Sequence, residues 1–178
     1  MDFFTVESIL SEEKCTEIIQ QAENIQFNKM NYYNKQKDQD EFNINVRNSS
    51  YVELDDENLL NVIYTSLKDK NTIEGDFKIS PNLRIMKYNT GGFFKPHRDT
   101  VYETNNFIGK YNLIIYLNKG YIGGETCFID TVDKRYYPVK GDIGTGLLFD
   151  PTLLHTGSTV HEGAKYILVT QILIKKDN

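Results

Sequence analysis

His97 and Asp99 stand two residues apart in the segment KPHRDT, directly behind a glycine-rich turn, YNTGGFFKP. His155 follows a separate extended run, GLLFDPTLL, 58 positions later. Residues two apart in an extended chain project to one face, so an imidazole and a carboxylate can converge there on one point, with Arg98 pointing the other way. Two neutral imidazoles and one carboxylate suit iron(II): they take one triangular face of an octahedron and leave three positions open. A zinc hydrolase also uses three protein ligands, but the chain has no HExxH helix and no second, metal-bridging carboxylate pattern. An HxD pair alone arises often by chance. The bland alternative makes His97 and Asp99 turn residues and His155 a core histidine.

Lys165 lies ten residues after His155 and opens the run KYILVTQILI. In a strand, Lys165, Ile167 and Val169 share one face, and Tyr166, Leu168 and Thr170 take the other. Both faces are nearly all apolar, and an ammonium entering such an interior is costly unless paired. A bound dicarboxylate would supply the partner, with one end on the metal and the other at Lys165. The alternative leaves Lys165 at the strand edge with its head in water.

These residues need a scaffold. A helix is expected to begin near Ser11, which can cap it, with Glu12 and Glu13 at the positive end of the dipole and Cys15, Ile18, Ile19 and Ala22 at helical spacing. A second helix is expected to start at Asp55 or Asp56, with Leu59, Leu60, Ile63 and Leu67 as its buried stripe. Between them, residues 28–45 are polar and aromatic without clear period, read as a loop or irregular hairpin and, more sharply, as a lid over a site. After Gly75 the character changes. Leu83 to Tyr88, Asn112 to Leu117, Glu125 to Ile129, Gly146 to Phe149 and Lys165 to Ile174 read as strands between Gly, Asn, Asp and Pro clusters. Helices first and strands afterwards, in a sandwich or barrel, is the architecture this pattern draws.

The length of 178 residues suits one domain, with helical support over about 1–75 and a β-core over about 76–178. A net charge of −5 argues against general affinity for nucleic-acid phosphates. No apolar run reaches membrane-spanning length. The N-terminus carries an acidic residue where a secretory signal would be positive, so a cytoplasmic protein is expected. Cys15 and Cys127 lie far apart in apolar patterns and lack CxxC spacing, so they are read as buried thiols.

From about Pro81 to Ile174 the chain resembles the catalytic domain of the prolyl 4-hydroxylase family of Fe(II)/2-oxoglutarate-dependent dioxygenases. LRIMKYNTGGFFKPHRDT is similar to that family's strand, Gly-rich turn and HxD. NLIIYLNKGYIGGETCF resembles its YLN and GGET segments, and GDIGTGLLFDPTLLHTGSTVHEGAK its distal histidine and lysine block. The resemblance implies an α+β fold whose core is a double-stranded β-helix, or jelly roll, with the N-terminal helices packed against it. It implies iron at His97, Asp99 and His155, and the distal carboxylate of 2-oxoglutarate at Lys165. It further places Tyr116 as a donor to that carboxylate and Tyr88 nearer the iron, while Thr126 is left outside the set. His155 is preferred over His161 because it follows the LLFD strand directly and the V-x-x-G-x-K element then aligns without a gap. His161 is read as a turn residue.

The implied cofactors are Fe(II), 2-oxoglutarate and dioxygen, with ascorbate as an accessory reductant. The implied substrate is a prolyl residue of a peptide or protein. A free amino acid or other small metabolite is the alternative, and a non-catalytic jelly-roll binding module the third reading. No nucleic-acid or membrane partner is expected, and the oligomeric state is left open. Oxygenases of alkylated bases usually hold the co-substrate with arginine, which Lys165 counts against. Two departures bear on the substrate: Tyr166 follows the lysine where collagen-type members carry Trp, and Gln171 stands where related sequences often have an acid. The polar stretch with Tyr32, Tyr33 and Phe42 is the expected substrate-facing element.

Overall fold

Two helices form where a capping side chain meets an apolar stripe. In the computed structural model of the protein, which describes residues 3–34, 39–41 and 43–176, α1 (Glu12–Glu23) starts behind Ser11, whose hydroxyl accepts from Lys14 N. Cys15, Ile18 and Ala22 form its buried face. Helix α2 (Glu57–Asp69) starts behind Asp56, whose carboxylate accepts from Leu59 N at 2.9 Å. Leu59, Ile63 and Leu67 are buried there, and Leu60 is half-buried at the stripe's margin.

The strands assemble mainly into two antiparallel sheets. The larger comprises β1 (Phe3–Val6), β2 (Asn28–Lys29), β6 (Ser50–Leu54), β7 (Phe77–Ile79), β8 (Leu83–Asn89), β10 (Phe107–Tyr116), β14 (Gly146–Phe149) and β17 (Ala164–Lys175). Its order is β1-β14-β10-β17-β8-β6-β2, with β7 also pairing β17. The smaller comprises β5 (Arg47–Asn48), β9 (Phe93–His97), β12 (Thr126–Ile129), β13 (Tyr136–Val139) and β15 (His155–Gly157), in the order β13-β12-β15-β9-β5. Two short two-stranded sheets complete the described strands: β3 (Tyr32–Asn34) with β4 (Gln39–Glu41), and β11 (Ile122–Gly123) with β16 (Val160–Glu162).

The larger sheet is covered on both faces, which is why its central strands read as continuous apolar runs. Along β17 and β10, Leu168, Ile172, Leu113 and Ile115 join the core beneath the helices. Their alternating neighbours Ile167, Ile114 and Tyr116 join a second core with Phe128 of the smaller sheet. Period-two alternation therefore sorts one strand's side chains between two apolar layers rather than between core and water. The result is an α+β protein with a double-stranded β-helix core and its helices packed on one sheet.

Helices do not simply precede strands. Within the first 75 residues β1, β2 and β6 already belong to the larger sheet and β5 to the smaller. Each has at most five residues and lies at or near a sheet edge, too short for alternation to stand out. The polar stretch 28–45 contains β2 and the β3–β4 hairpin. Residues 35–38 and Phe42 of that stretch lie outside the described residues.

Two substitutions separate local from tertiary contributions. Asp56→Ala removes a helix cap and should cost about 1 kcal/mol. Leu168→Ala empties a fully buried position on the central strand and should cost about 3 kcal/mol. Urea unfolding should return the two in that order, with no change in slope for the cap variant.

Candidate metal centre

Strand pairing sets the centre. β9 and β15 run antiparallel with His155 directly opposite His97, so residues distant in sequence become cross-strand neighbours with ring centroids 4.2 Å apart. Asp99 follows β9, and its backbone N–H donates to the Pro151 carbonyl at 2.9 Å, which ties it to the turn before β15. Its Oδ1 lies 3.3 Å from His97 Nε2 and its Oδ2 3.4 Å from His155 Nε2. The three candidate ligand atoms all fall within 4.8 Å of one another.

The imidazole protons are assigned by their neighbours. His97 Nδ1 is 2.7 Å from the Lys95 carbonyl and His155 Nδ1 is 2.9 Å from the Leu153 carbonyl. A carbonyl only accepts, so each neutral ring carries its proton on Nδ1 and turns a bare Nε2 toward Asp99. Two lone pairs and a carboxylate facing one another repel unless a cation sits among them. Backbone contacts of this kind are what orient metal-bound histidines. Burial pushes the His97 pKa down, which favours the neutral form a ligand needs. Phe94 stacks on His97 with centroids 3.5 Å apart, and Phe149 meets His155 edge-on at 4.8 Å, fixing both ring planes. The Arg98 guanidinium donates to the Thr152 carbonyl.

All three residues line a cavity of about 920 Å³, and Lys165 and Tyr88 line the same cavity. Lys165 is 3% exposed, and its Nζ donates to the Gly124 carbonyl at 2.7 Å. The ammonium stands 5.6 and 5.5 Å from the ring centres of Tyr88 and Tyr116. It forms no ion pair among the described residues, and burial pulls its pKa down to about 8. Gly124 has φ +71°, a conformation that favours glycine, and a Cβ there would press within 3.3 Å of the lysine stem. Tyr121 flanks the same spot, and its buried hydroxyl has no hydrogen-bond partner among the described residues. This end of the cavity therefore presents a buried cation that forms no ion pair among the described residues, with Glu125 near enough to offset part of its desolvation.

Tyr116 is fully buried behind Lys165. Its hydroxyl donates toward Val139 O at 3.3 Å and Thr126 Oγ1 at 3.4 Å, and burial pushes its pKa up to about 12. Thr126, left out of the sequence-derived set, does line the cavity. His161 sits exposed on β16, outside the metal group and in a strand rather than a turn.

Residues 9–178 match the family model described as Poxvirus C4/C10 protein. The chain belongs to the poxvirus C4/C10 protein family. A curated relative, the uncharacterized protein FPV006/FPV255 of Fowlpox virus (strain NVSL), is 30% identical over 124 residues; the match covers 67% of this chain and 28% of that protein. The fold recurs in the viral collagen prolyl hydroxylase vCPH from Paramecium Bursaria Chlorella virus-1, solved as a 2OG complex: identity is 20%, TM-score 0.67, and coverage 96% of this chain and 95% of that one. It also recurs in a Trichoplax adhaerens prolyl hydroxylase in complex with a hypoxia inducible factor oxygen degradation domain peptide fragment, at 14% identity and TM-score 0.70, covering 96% of this chain and 82% of that one. What the C4/C10 chain shares with these enzymes at such identities is the fold.

The positioning role of two side chains of the C4/C10 chain, Asn112 and Gln171, escaped sequence reasoning, the second standing out there only as a departure bearing on the substrate. Asn112, 3% exposed on β10, donates its amide to Asp99 Oδ2 and so orients the carboxylate between the imidazoles. An asparagine inside the apolar run YNLIIY was the available signal, because a buried amide requires a partner. Gln171 accepts from Tyr102 N at 2.9 Å and donates to Thr100 O at 2.8 Å, clamping the loop that follows Asp99. A carboxylate in its place could accept from Tyr102 but could not donate to Thr100. Tyr166 faces the helix side, where its hydroxyl donates to Glu23 at 2.6 Å.

Asn112→Leu keeps the volume and removes the donor to Asp99. Divalent-metal affinity should fall roughly 10- to 100-fold, read by titration with Mn²⁺. An unchanged affinity would show that Asp99 is oriented without Asn112.

Proposed function

We propose that this chain is an Fe(II)/2-oxoglutarate-dependent dioxygenase that hydroxylates an unactivated carbon, with a prolyl residue of a peptide or protein as the substrate. The observation that carries the reading is the pairing, in one cavity, of a convergent His–Asp–His set with a buried ammonium that forms no ion pair among the described residues. The fold neighbours lend support, since one was solved with 2-oxoglutarate and another with a peptide.

His97, Asp99 and His155 would hold the iron, and Lys165 would hold the far carboxylate of 2-oxoglutarate. Bound iron with 2-oxoglutarate and dioxygen supplies oxidative decarboxylation to succinate and carbon dioxide, coupled to oxygen insertion into a C–H bond. The chain's own part is positional. The backbone carbonyls of Lys95 and Leu153 hold both imidazoles in the ligating tautomer. Lys165 fixes the co-substrate's orientation, and its pairing relieves the cost of a solitary buried charge. Ile114, Met86 and Ile167 give the cavity an apolar wall that keeps water from the reacting centre. A proton-transferring residue is not required.

Cavity shape favours a peptide over a free amino acid. Lys165 and Gln171 both line the cavity along β17, six residues apart, so it extends roughly 20 Å at about 3.3 Å per residue. A five-carbon diacid leaves most of that length free.

Anaerobic titration with Fe(II) and 2-oxoglutarate should give a weak visible charge-transfer band that disappears in His97→Ala and in Asp99→Ala. Lys165→Ala should retain iron binding but lose about 3 kcal/mol of 2-oxoglutarate affinity, roughly 100-fold. Unchanged 2-oxoglutarate affinity in that variant would remove Lys165 from the site.

The pKa of about 8 for Lys165 adds a pH signature. The far carboxylate binds the charged form and raises this pKa, so a proton is taken up on binding whenever the free lysine is neutral. Affinity should be flat in this respect below pH 8 and fall toward tenfold per pH unit above it. Calorimetry in buffers of differing ionisation enthalpy would reveal the proton uptake at pH 9, and its absence would contradict the assignment.

A further inference from the structure

The chain carries an excess of acid, 25 Asp and Glu against 20 Lys and Arg, yet its cavity wall has the opposite sign. Four cationic residues besides Lys165 line it, Arg47, Arg84, Lys95 and Arg98, the last of which alternation alone would have turned away from the His97–Asp99 face. Among the described residues, Asp99 is the one carboxylate on that wall. Chance scatter on a net-acidic chain would mix the signs. Here they are segregated.

Their partners leave the positive charge largely unspent. Arg47 donates to Ser49 Oγ at 2.8 Å and lies 4.1 Å above the Phe94 ring, which in turn stacks on His97. The Arg98 guanidinium reaches a carbonyl, not a carboxylate. Lys95 is exposed and its ammonium has no partner among the described residues. Arg84 alone forms an ion pair, 3.0 Å from Glu53, and both side chains are well exposed, where such a pair is weak and screened.

Charge accounting in the loaded site sharpens the point. A ferrous ion, the Asp99 carboxylate, the 2-oxoglutarate dianion and the Lys165 ammonium together cancel. The co-substrate therefore consumes none of the charge on Arg47, Arg84, Lys95 and Arg98, which remains available to whatever fills the rest of the cavity. A low-dielectric cleft walled by one sign of charge focuses its field on the opening and selects ligands of the other sign.

We infer that the substrate segment entering this cavity is an acidic peptide, with Asp or Glu side chains flanking the target residue and meeting Lys95, Arg84, Arg47 and Arg98. The inference rests on the oxygenase reading for the identity of the target residue, but not for the binding itself. An extended peptide suits a cavity of this length, whereas a nucleic acid brings a dense polyanion that the chain's net charge of −5 disfavours.

Three fluorescent proline-containing peptides of equal length would test this by anisotropy, flanked by Asp/Glu, by Ser/Gln or by Lys, with the full chain alone and with Mn²⁺ and 2-oxoglutarate. The acidic peptide should bind at least tenfold more tightly than the neutral one at low salt, and its advantage should shrink as salt rises. The double variant Lys95→Glu/Arg84→Glu should reverse that preference while leaving 2-oxoglutarate affinity, set at Lys165, intact. That retained affinity guards against misfolding as the cause. Equal binding of the three peptides, an unaltered preference in the double variant, or tighter binding of a single-stranded oligonucleotide than of the acidic peptide would each overturn the inference. Acidic-peptide binding without succinate formation would refute the oxygenase reading and leave the inference standing. Succinate formation driven equally well by the neutral peptide would do the reverse.

Discussion

Lone pairs that point at one another are the constraint around which this molecule is arranged. Both candidate imidazoles donate their Nδ1–H groups to backbone carbonyls, so their Nε2 atoms confront the Asp99 carboxylate bare, at 3.3 and 3.4 Å. Such a face is unfavourable on its own and favourable about a divalent cation. Strand register creates it, because His97 and His155 are partners across β9 and β15. A slip of one residue would send the two rings to opposite faces of the smaller sheet. The Asn112 amide, the Pro151 carbonyl and the aromatic rings of Phe94 and Phe149 all hold that arrangement in place.

The second buried charge is the complement of the first. Lys165 stands where desolvation is severe, and its hydrogen-bond partner is a neutral carbonyl. Proteins seldom leave an ammonium so placed without an anion, since the desolvation cost is several kcal/mol. In the proposed reading, a dicarboxylate spanning metal and lysine would satisfy both ends at once.

Much of this was legible in residue order, though not all of it. The caps at Ser11 and Asp56, the apolar stripes of both helices and the five strongest strands follow from side-chain chemistry within a few residues of each position. Short strands such as β1, β5 and β6 were not legible, because they are stabilised by partners far along the chain and their own alternation covers too few residues. Family membership also exceeds what the motifs imply. The motifs resemble prolyl 4-hydroxylases and the fold is shared with them, while the chain belongs to the poxvirus C4/C10 proteins.

Sequence by itself determined which groups are present and how far apart along the chain they lie: an HxD pair, a distal histidine and a lysine at the head of an apolar strand. It also determined that both faces of that strand would be buried, since alternation between two apolar sets has no other outlet. Only the tertiary structure decided that the three ligands meet, that Asn112 orients the carboxylate and that the Tyr116 hydroxyl is turned toward Val139. It alone gathered four cations from β5, β8 and the neighbourhood of β9 onto one cavity wall. Spacing specifies the face of an element on which a side chain lies. Which elements face one another depends on long-range pairing, and no local pattern encodes that.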